Sequence, residues 1–351
     1  MKKIPILKLY QNMELLKQNV GIDISKDFFD ATFMILLTGQ VLKTKQSRKF
    51  ANTHTGIKEF TEWVNNLKDS NIDVHVTMEA TGVYYETLAY SIYTLKGIVT
   101  HVLLPNTVKR YFESLNIKTK TDMVDSKIIG QMGLERKLTP WVLHSKVYLK
   151  LRTLTREKEQ LINERTSIKN QMHAEESSAQ PFKKVITRYK RRIKYINNQI
   201  DAVERDIKQL VDNDEFILSK VNKLTTIPGV SFSTVVGVIA ETAGFVNIKS
   251  IKQLTSYSGL DVVQKESGLW KGKTRISKKG NSHIRCLLYM PTLSVVRHSE
   301  TFKKNYNRIN DKKDFKMTGV VAMQRKVLGL LYTLWKNDTE YIENYKNMKV
   351  A

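Results

Sequence analysis

The periodicity of apolar residues over residues 19–104 constrains the fold more than any other feature of this sequence. Alternating and continuous apolar runs predict three consecutive β-strands from Asn19 to Phe50, with a turn at Gly39. A spacing of three and four residues from Thr55 to Leu67 then predicts an amphipathic helix. A short apolar strand follows and ends on Glu79.

A second helix is predicted from about residue 83 to 95, and a further strand over residues 98–104. The resulting order is three strands, a helix, a strand, a helix and a strand. This is the order of an RNase H-like α/β domain, which we place at residues 1–140.

Residues 141–215 have a different texture, with long charged stretches and few helix breakers. Apolar residues three and four positions apart, a spacing typical of a coiled coil, form one seam. They are Ile186, Tyr189, Ile193, Ile196, Ile200, Val203, Ile207 and Leu210. We predict a helical hairpin that can also pair with another subunit. Two interpretations of its basic stretch stay open, a solvated helix face and a nucleic-acid contact made by Arg188, Lys190, Arg191 and Arg192.

The last region, residues 216–351, is predicted to be mainly α-helical. Its Ile227-Pro228-Gly229-Val230 segment lies between two helices, as in a helix-hairpin-helix that presents free N–H groups to phosphate. The alternative is a simple turn between helices. Residues 259–280 form a polar, basic, glycine-bearing loop that contains Ser267.

Charge and cysteine content narrow the class of protein. Lys and Arg number 58 against 34 Asp and Glu, and a formal net charge of +24 spread along the chain favours a polyanionic partner. A basic RNA-associated structural protein fits the same charge. The single cysteine, Cys286, excludes an internal disulfide and a Cys-rich zinc site. With no secretory signal and no apolar run long enough to span a membrane, we expect a soluble, cytoplasmic protein.

Four carboxylates are candidates for one metal site. Asp23 lies within an apolar strand, where a charge is costly unless it is paired or binds a cation, and Glu79 ends another strand. Asp122 and Asp125 are three residues apart, so on a helix they face the same way. Such an all-oxygen set suits two Mg²⁺ or Mn²⁺ ions and in-line phosphoryl transfer. The structural alternative is that Asp122 is a helix N-cap and Asp125 an ordinary first-turn acid.

Ordered short motifs run along nearly the whole chain: Gly21-Ile22-Asp23 with Lys26, Glu79-Ala80-Thr81-Gly82, Lys120-Thr121-Asp122 with Asp125, Ile227-Pro228-Gly229, Ser258-Gly259-Leu260, Ser267-Gly268 and Arg275-Ile276-Ser277-Lys278-Lys279-Gly280-Asn281. Together they resemble the DEDD transposases of bacterial insertion sequences, the IS-one-ten family of bridge-RNA-guided recombinases, which includes Piv-type DNA invertases. Two departures are that Ser126 stands where the family often has Ala, and that no Pro follows Leu260.

The resemblance implies a RuvC-like first domain with a DEDD metal site, a coiled-coil middle and a C-terminal transposase domain with a catalytic serine, which maps onto Ser267. Ser277 is the second candidate for the nucleophile. We assign nucleic-acid contacts, in addition to the four basic residues of the middle region, to Lys120, Gly229, Lys271, Lys273, Arg275, Ser277, Lys278, Lys279 and Asn281.

The function that this implies is site-specific DNA transposition through a serine–DNA intermediate. The expected partners are element and target DNA, a noncoding guide RNA, and further copies of the chain as a dimer or as a tetramer in the synaptic complex. The alternatives are a Piv-type invertase, a metal-dependent nuclease that uses water and makes no covalent intermediate, and a nucleic-acid-binding protein without catalysis.

Overall fold

A computed structural model divides the chain into two compact units, Met1–Leu143 and His144–Ala351. The residues that the structure describes are 13–118, 121–264, 266–268, 270–272, 274–311, 313 and 315–343. The predicted nucleic-acid contacts Lys120 and Lys273 lie outside these residues, as does the side chain of Lys271. The three-part division at residues 140 and 215 stays a prediction.

The first unit is built on a five-stranded mixed sheet. Its elements in chain order are β1 (Leu15–Ile24), β2 (Phe28–Leu37), β3 (Val41–Ala51), α1 (His54–Leu67), β4 (Val74–Glu79), α2 (Tyr84–Tyr93), β5 (Ile98–Leu103), α3 (Pro105–Ser114) and α4 (Asp122–Glu135). The strand order is β3-β2-β1-β4-β5. The first three strands pair antiparallel, whereas β4 pairs parallel with β1 and with β5. The sheet and the element order agree with the RNase H-like prediction.

One face of the sheet is covered by α1, which begins after the N-cap Thr53. The apolar face of α1 contributes Phe60 and Trp63 to an aromatic cluster with Phe29 and Phe50 from β2 and β3. The rings of Phe50 and Phe60 are 5.5 Å apart and edge to face. This packing explains the register of the first strands, because a slip of one residue would turn the aromatic residues away from α1.

The helix α4 packs against the sheet with almost no side chain in between. A Cβ on Gly21 of β1 would overlap the backbone of α4 at Ser126 and Gly130. The buried Asn19 amide donates to the carbonyl oxygen of Gly130 at 2.8 Å, and its own carbonyl oxygen accepts from Thr77 of β4 at 2.9 Å. The contact therefore fixes the position of α4 along β1.

The second unit is mainly helical. Its helices are α5 (Lys146–Glu176), α6 (Lys183–Asp212), α7 (Glu215–Thr225), α8 (Phe232–Thr242), α9 (Ile251–Tyr257), α10 (Ser282–His298), α11 (Glu300–Asn310) and α12 (Met317–Asn337). Between α9 and α10, four two-residue strands form two antiparallel pairs: β6 (Val262–Val263) with β9 (Arg275–Ile276), and β7 (Glu266–Ser267) with β8 (Trp270–Lys271). Among the described helices, none combines the length and apolar character needed to cross a membrane.

The predicted helical hairpin is formed by α5 and α6. Its seam is buried within the chain from Ile196 to Ile207 and half-buried at Ile186, Tyr189, Ile193 and Leu210. Ile196 and Ile200 pack with Ile168 of the opposite helix. Further along α6, Val203 and Ile207 join the core of the C-terminal helices. Substituting the seam would therefore unfold the hairpin before it tested a subunit interface, and pairing with a second copy stays a prediction.

The close packing of α4 on β1 leads to a first prediction. The Gly21→Ala variant should lose about 3 kcal/mol or more of the free energy of unfolding, because its Cβ can be accommodated only by moving backbone. Gly329→Ala, on α12, is the control. Among the described residues its Cβ would approach only the Ile251 side chain, at 3.3 and 3.7 Å, and alanine is the better helix former, so we expect a change within about 1 kcal/mol.

Chemical denaturation of the full chain measures both variants, and hydrogen exchange of β1 and α4 peptides locates the effect. Equal stabilities of the wild type and Gly21→Ala would contradict a direct backbone contact between α4 and β1.

Candidate active site

Three of the predicted carboxylates line one cavity in the first unit. Asp23, Glu79 and Asp125 surround a space of about 440 Å³. β1 and β4 are parallel neighbours with Ile22 opposite Met78, so Asp23 and Glu79 follow at the same edge of the sheet. Asp125 comes from the first turn of α4. The sheet order and the packing of α4 thus bring together acids that are about a hundred residues apart.

Asp122 lies one helical turn before Asp125, and its charge also acts on Asp23. The structural alternative for Asp122 is wrong, because the N-cap of α4 is Thr121, whose hydroxyl accepts from the Val124 N–H at 3.3 Å. Asp122 is the first helical residue after this cap. An acid at this position is favoured by the helix dipole, but helix capping does not require it.

The electrostatics of the cavity are unbalanced. Burial, together with repulsion from Asp125, Asp122, Glu79 and Asp30, raises the pKa of Asp23 to about 6. The charged groups that shift this pKa are all acids. Asp30 stands opposite Asp23 on β2 and forms an ion pair with Lys49 at 3.5 Å. A divalent cation would relieve the repulsion that remains.

The donor set fits a hard cation such as Mg²⁺ or Mn²⁺, since it consists of carboxylate oxygens. Within the part of the chain that the structure describes, no three acidic, histidine or cysteine side chains lie close enough to hold one metal ion. The acids therefore share a cavity and an electric field without forming a closed ligand shell. Small side-chain movements would have to accompany metal binding.

Most of the remaining cavity wall comes from α3, a helix that was not predicted to contribute to the site. Asn106, Lys109 and Phe112 line the space beside the acids. Lys109 is exposed and lies 4.0 Å from Glu113 on its own helix.

Ser126, which stands where the family often has Ala, is buried on α4. Its hydroxyl has a hydrogen-bonding partner, because it lies 2.8 Å from the Thr32 hydroxyl.

Ser267 belongs to the second unit and lies in an exposed position. It is the last residue of β7, directly opposite Trp270 on β8. Gly268 follows with φ +56°, and a Cβ at this glycine would meet nothing within 4 Å among the described residues. The Ser267 hydroxyl is therefore accessible to a large substrate.

Ser277, the second candidate for the nucleophile, is engaged in the loop itself. Its hydroxyl donates to the Asp261 carboxylate and accepts from the Lys279 N–H at 3.2 Å. Lys278 has φ +53°, and the side chains of Arg275, Lys278 and Lys279 are exposed. The basic side chains are thus available to phosphate, whereas Ser277 holds the turn.

Asn281 has a structural role that the sequence did not reveal. Its side chain caps α10 by accepting from the Ile284 N–H, and it donates to Glu241 at 2.6 Å. Glu241 on α8 is buried and receives two hydrogen bonds from Arg156, at 2.7 and 2.9 Å. Burial alone would raise the pKa of Glu241, but the bonds from Arg156 and Asn281 together lower it. This network anchors the end of the basic loop to α5 and α8.

The remaining predicted contacts are exposed. Arg188, Lys190, Arg191 and Arg192 lie on the solvent side of α6. Gly229 has φ +84°, and a Cβ here would meet the α10 backbone at Ser294 at 2.8 Å, so turn geometry and packing are sufficient to require glycine. Whether these residues bind nucleic acid stays a prediction.

Comparison with known proteins links both units to transposases. Residues 20–175 match a DEDD-type family model described as Transposase, and residues 221–307 match one described as Transposase IS116/IS110/IS902 family. The chain is 28% identical over 331 residues to the pilin gene-inverting protein of Moraxella bovis, covering 93% of this chain and 98% of that protein. The pilin gene-inverting protein of Moraxella lacunata is similar to the same extent.

The two family models match in chain order, the first over all four carboxylates and the second over Ser267. The similarity to the two Moraxella proteins extends over 93% of this chain. The chain therefore belongs to the IS110 family of transposases and recombinases.

Proposed function

We propose that this protein is a site-specific recombinase that cuts and rejoins element and target DNA, using a metal site at Asp23, Glu79, Asp122 and Asp125 and the hydroxyl of Ser267. The observation that carries the metal site is the cavity lined by Asp23, Glu79 and Asp125, where burial and the neighbouring carboxylates, including Asp122, raise the pKa of Asp23 to about 6. We expect the first domain to be RuvC-like and its ions to be Mg²⁺ or Mn²⁺.

The chain's own residues have separate tasks in this proposal. The four acids hold the ions, which when bound stabilise the charge that develops on the entering and leaving oxygens. β1, β4 and α4 set the spacing of the acids, so little reorganisation is needed once a substrate phosphate arrives. The exposed basic side chains of both units hold the polyanion by distributed, salt-sensitive contacts.

Ser267 supplies the nucleophile. Its Oγ forms a bond to phosphorus, the bond from phosphorus to a deoxyribose oxygen breaks, the hydroxyl proton is lost and the leaving oxygen gains a proton. The phosphodiester energy is kept in the protein–DNA ester, and the reverse attack by another deoxyribose hydroxyl rejoins the strands without ATP. The exposure of Ser267, compared with the engaged hydroxyl of Ser277, supports this choice.

The reaction requires Ser267 and the acids to meet at one phosphate in the assembled complex. We propose that assembly of a homo-oligomer, a dimer or a synaptic tetramer, on DNA and a noncoding guide RNA brings them together. If base pairing with the RNA selects the target, the protein needs mainly backbone contacts, and the net charge of +24 suits such contacts.

A second candidate function is inversion of a chromosomal segment. Similarity to pilin gene-inverting proteins over nearly the full length favours it. Inversion and transposition use the same chemistry, so the neighbouring DNA decides between them. Element ends with a flanking noncoding RNA indicate transposition, and inverted recombination sites around a gene indicate inversion.

Alanine at any of the four acids tests the metal site. We expect Asp23→Ala, Glu79→Ala, Asp122→Ala and Asp125→Ala to lose strand cleavage by at least about a thousandfold, because charge stabilisation at the phosphate requires the metal ions. DNA and RNA affinity should stay within about threefold, since it comes from distributed positive charge. Glu62→Gln, an exposed acid on α1, is the control. Normal recombination by the Asp23 or Glu79 variant would exclude this metal site.

Thermal unfolding tests metal binding independently of activity. The pKa of Asp23 in the fold, about 6, is above its unfolded value near 3.8, so this group favours the folded state at low pH. The contribution is lost as the pH rises from about 4 through about 6. In the absence of metal, the free energy of unfolding of Asp23→Asn at pH 7.5 should therefore exceed that of the wild type by about 1 to 2 kcal/mol. This value allows for screening of the charges by solvent.

Mg²⁺ or Mn²⁺ should raise the melting temperature of the wild type at pH 7.5 by several degrees and that of Asp23→Asn by much less. Glu62→Gln should respond like the wild type. A metal response that is the same in the wild type and Asp23→Asn would place the cation elsewhere.

Trapping the covalent intermediate separates a recombinase from a nuclease. On a suicide DNA substrate with guide RNA and Mg²⁺, we expect the wild type to give a denaturation-resistant protein–DNA adduct and Ser267→Ala to lose both adduct and recombinant product. Ser277→Ala should keep some adduct. If Ser267→Ala still forms the adduct, the assignment of the nucleophile is wrong. Efficient cleavage by the wild type with no adduct would instead identify a nuclease that uses water.

A further inference from the structure

Trp270 is an exposed tryptophan beside the proposed nucleophile. Its side chain is 60% exposed, whereas Trp63 and Trp335 are 6% and 5% exposed. Trp63, Trp141 and Trp335 each contact another aromatic ring. Trp270 contacts no other aromatic ring among the described residues. A single exposed aromatic ring is common on protein surfaces, so what distinguishes Trp270 is the set of groups around it.

The register of the hairpin places Trp270 and Ser267 side by side. They are directly opposite each other in the antiparallel β7–β8 pair. Side chains of opposed residues project from the same face of such a ladder, with Cβ atoms about 4.5 to 5.5 Å apart. A molecule whose phosphate reaches the Ser267 hydroxyl therefore brings the adjoining sugar or base to the indole ring.

The basic residues around Trp270 favour a polyanionic ligand. Residues 259–281 contain six Lys and Arg against two Asp and Glu. Arg275, Lys278 and Lys279 in this segment have exposed side chains. The open space around Gly268 lets a bulky strand approach the turn closely. A basic surface with an exposed aromatic ring is typical of proteins that bind unstacked nucleic-acid bases.

We propose that Trp270 stacks on a DNA base next to the scissile phosphate and thereby positions that phosphate for Ser267. This inference rests on the proposed function of Ser267. A flat π surface holds any base without reading its sequence, which suits a recombinase whose targets differ. Stacking on an aromatic side chain changes affinity by roughly 5- to 150-fold per base. It also requires the base to leave the duplex stack, so it acts where the strand is cleaved.

The test uses the full-length protein, its guide RNA and element-end DNA with 2-aminopurine placed in turn at each position around the cleavage site. With the wild type we expect fluorescence quenching beyond that of duplex DNA at one or two positions adjacent to the scissile phosphate. Trp270→Leu keeps an apolar side chain but has no π surface, so it should lose this quenching and give roughly 10- to 100-fold less adduct. Trp270→Phe should restore both to within about fivefold.

Phe182→Ala is the control, since Phe182 is another exposed aromatic residue of the second unit and lies at the start of α6, between the two helices of the hairpin. It should behave like the wild type. Ser267→Ala should lose the adduct and keep the quenching, because the ring that stacks is still present.

The outcomes distinguish this inference from the proposed function. Wild-type quenching and adduct formation in Trp270→Leu would overturn the inference and leave the nucleophile standing. Quenching that depends on Trp270, without any adduct in the wild type, would support stacking and overturn the serine mechanism. A change in oligomeric mass in Trp270→Leu, with quenching intact, would show that the ring contacts another protein subunit, and this also overturns the inference.

Discussion

The direct contact between the backbones of β1 and α4 is the constraint on which the active site depends. Gly21 has no room for a side chain because α4 lies against it at Ser126 and Gly130. Two residues further along β1 is Asp23, and the first turn of the same helix carries Asp122 and Asp125. A larger residue at position 21 would push the helix outward and increase the distance between these acids. The spacing of the carboxylates is therefore set by glycine and by close packing, before any metal binds.

The buried Glu241 and the half-buried Asp23 lie in opposite electrostatic environments. Glu241 accepts hydrogen bonds from Arg156 and Asn281, and these bonds lower its pKa despite burial. Asp23 has other carboxylates as its charged neighbours, and burial together with their charges raises its pKa to about 6. The Glu241 charge is compensated within the protein, so removing Arg156 would leave an unpaired buried charge at the base of the basic loop. A group of charges left without a cation costs stability and creates affinity for an ion from solution.

The segment around Ser267 contrasts with both acids because few contacts hold its described residues. β6 to β9 have two residues each, and the side chains of Ser267 and Trp270 face solvent. A two-stranded hairpin of this length has few interactions of its own. Its base, however, is secured by the Asn281 cap and the Glu241 network. This arrangement combines a base fixed by hydrogen bonds with a tip that has few contacts among the described residues.

Much of the fold was predictable from the sequence because the relevant information is local. Apolar periodicity indicated the strands and helices of the first sheet and the helical hairpin formed by α5 and α6, and the excess of basic residues indicated a polyanionic partner. The four acids and Ser267 were singled out from strand position, helical spacing and resemblance to a family. The alternative interpretation of Asp122 as a helix cap was wrong, since Thr121 caps α4.

What only the tertiary structure decided depends on contacts between residues far apart in the chain. Asp30 opposite Asp23, α3 in the cavity wall, Arg156 on Glu241 and the burial of the hairpin seam against its own chain leave no periodic signal. The same holds for the proximity of Asp23 to Asp125, which requires the parallel pairing of β1 with β4 and the glycine contact with α4. The sequence by itself determined which elements form and which chemical groups they carry. Close packing decided which of those groups meet, because that depends on the shape and volume of every side chain between them.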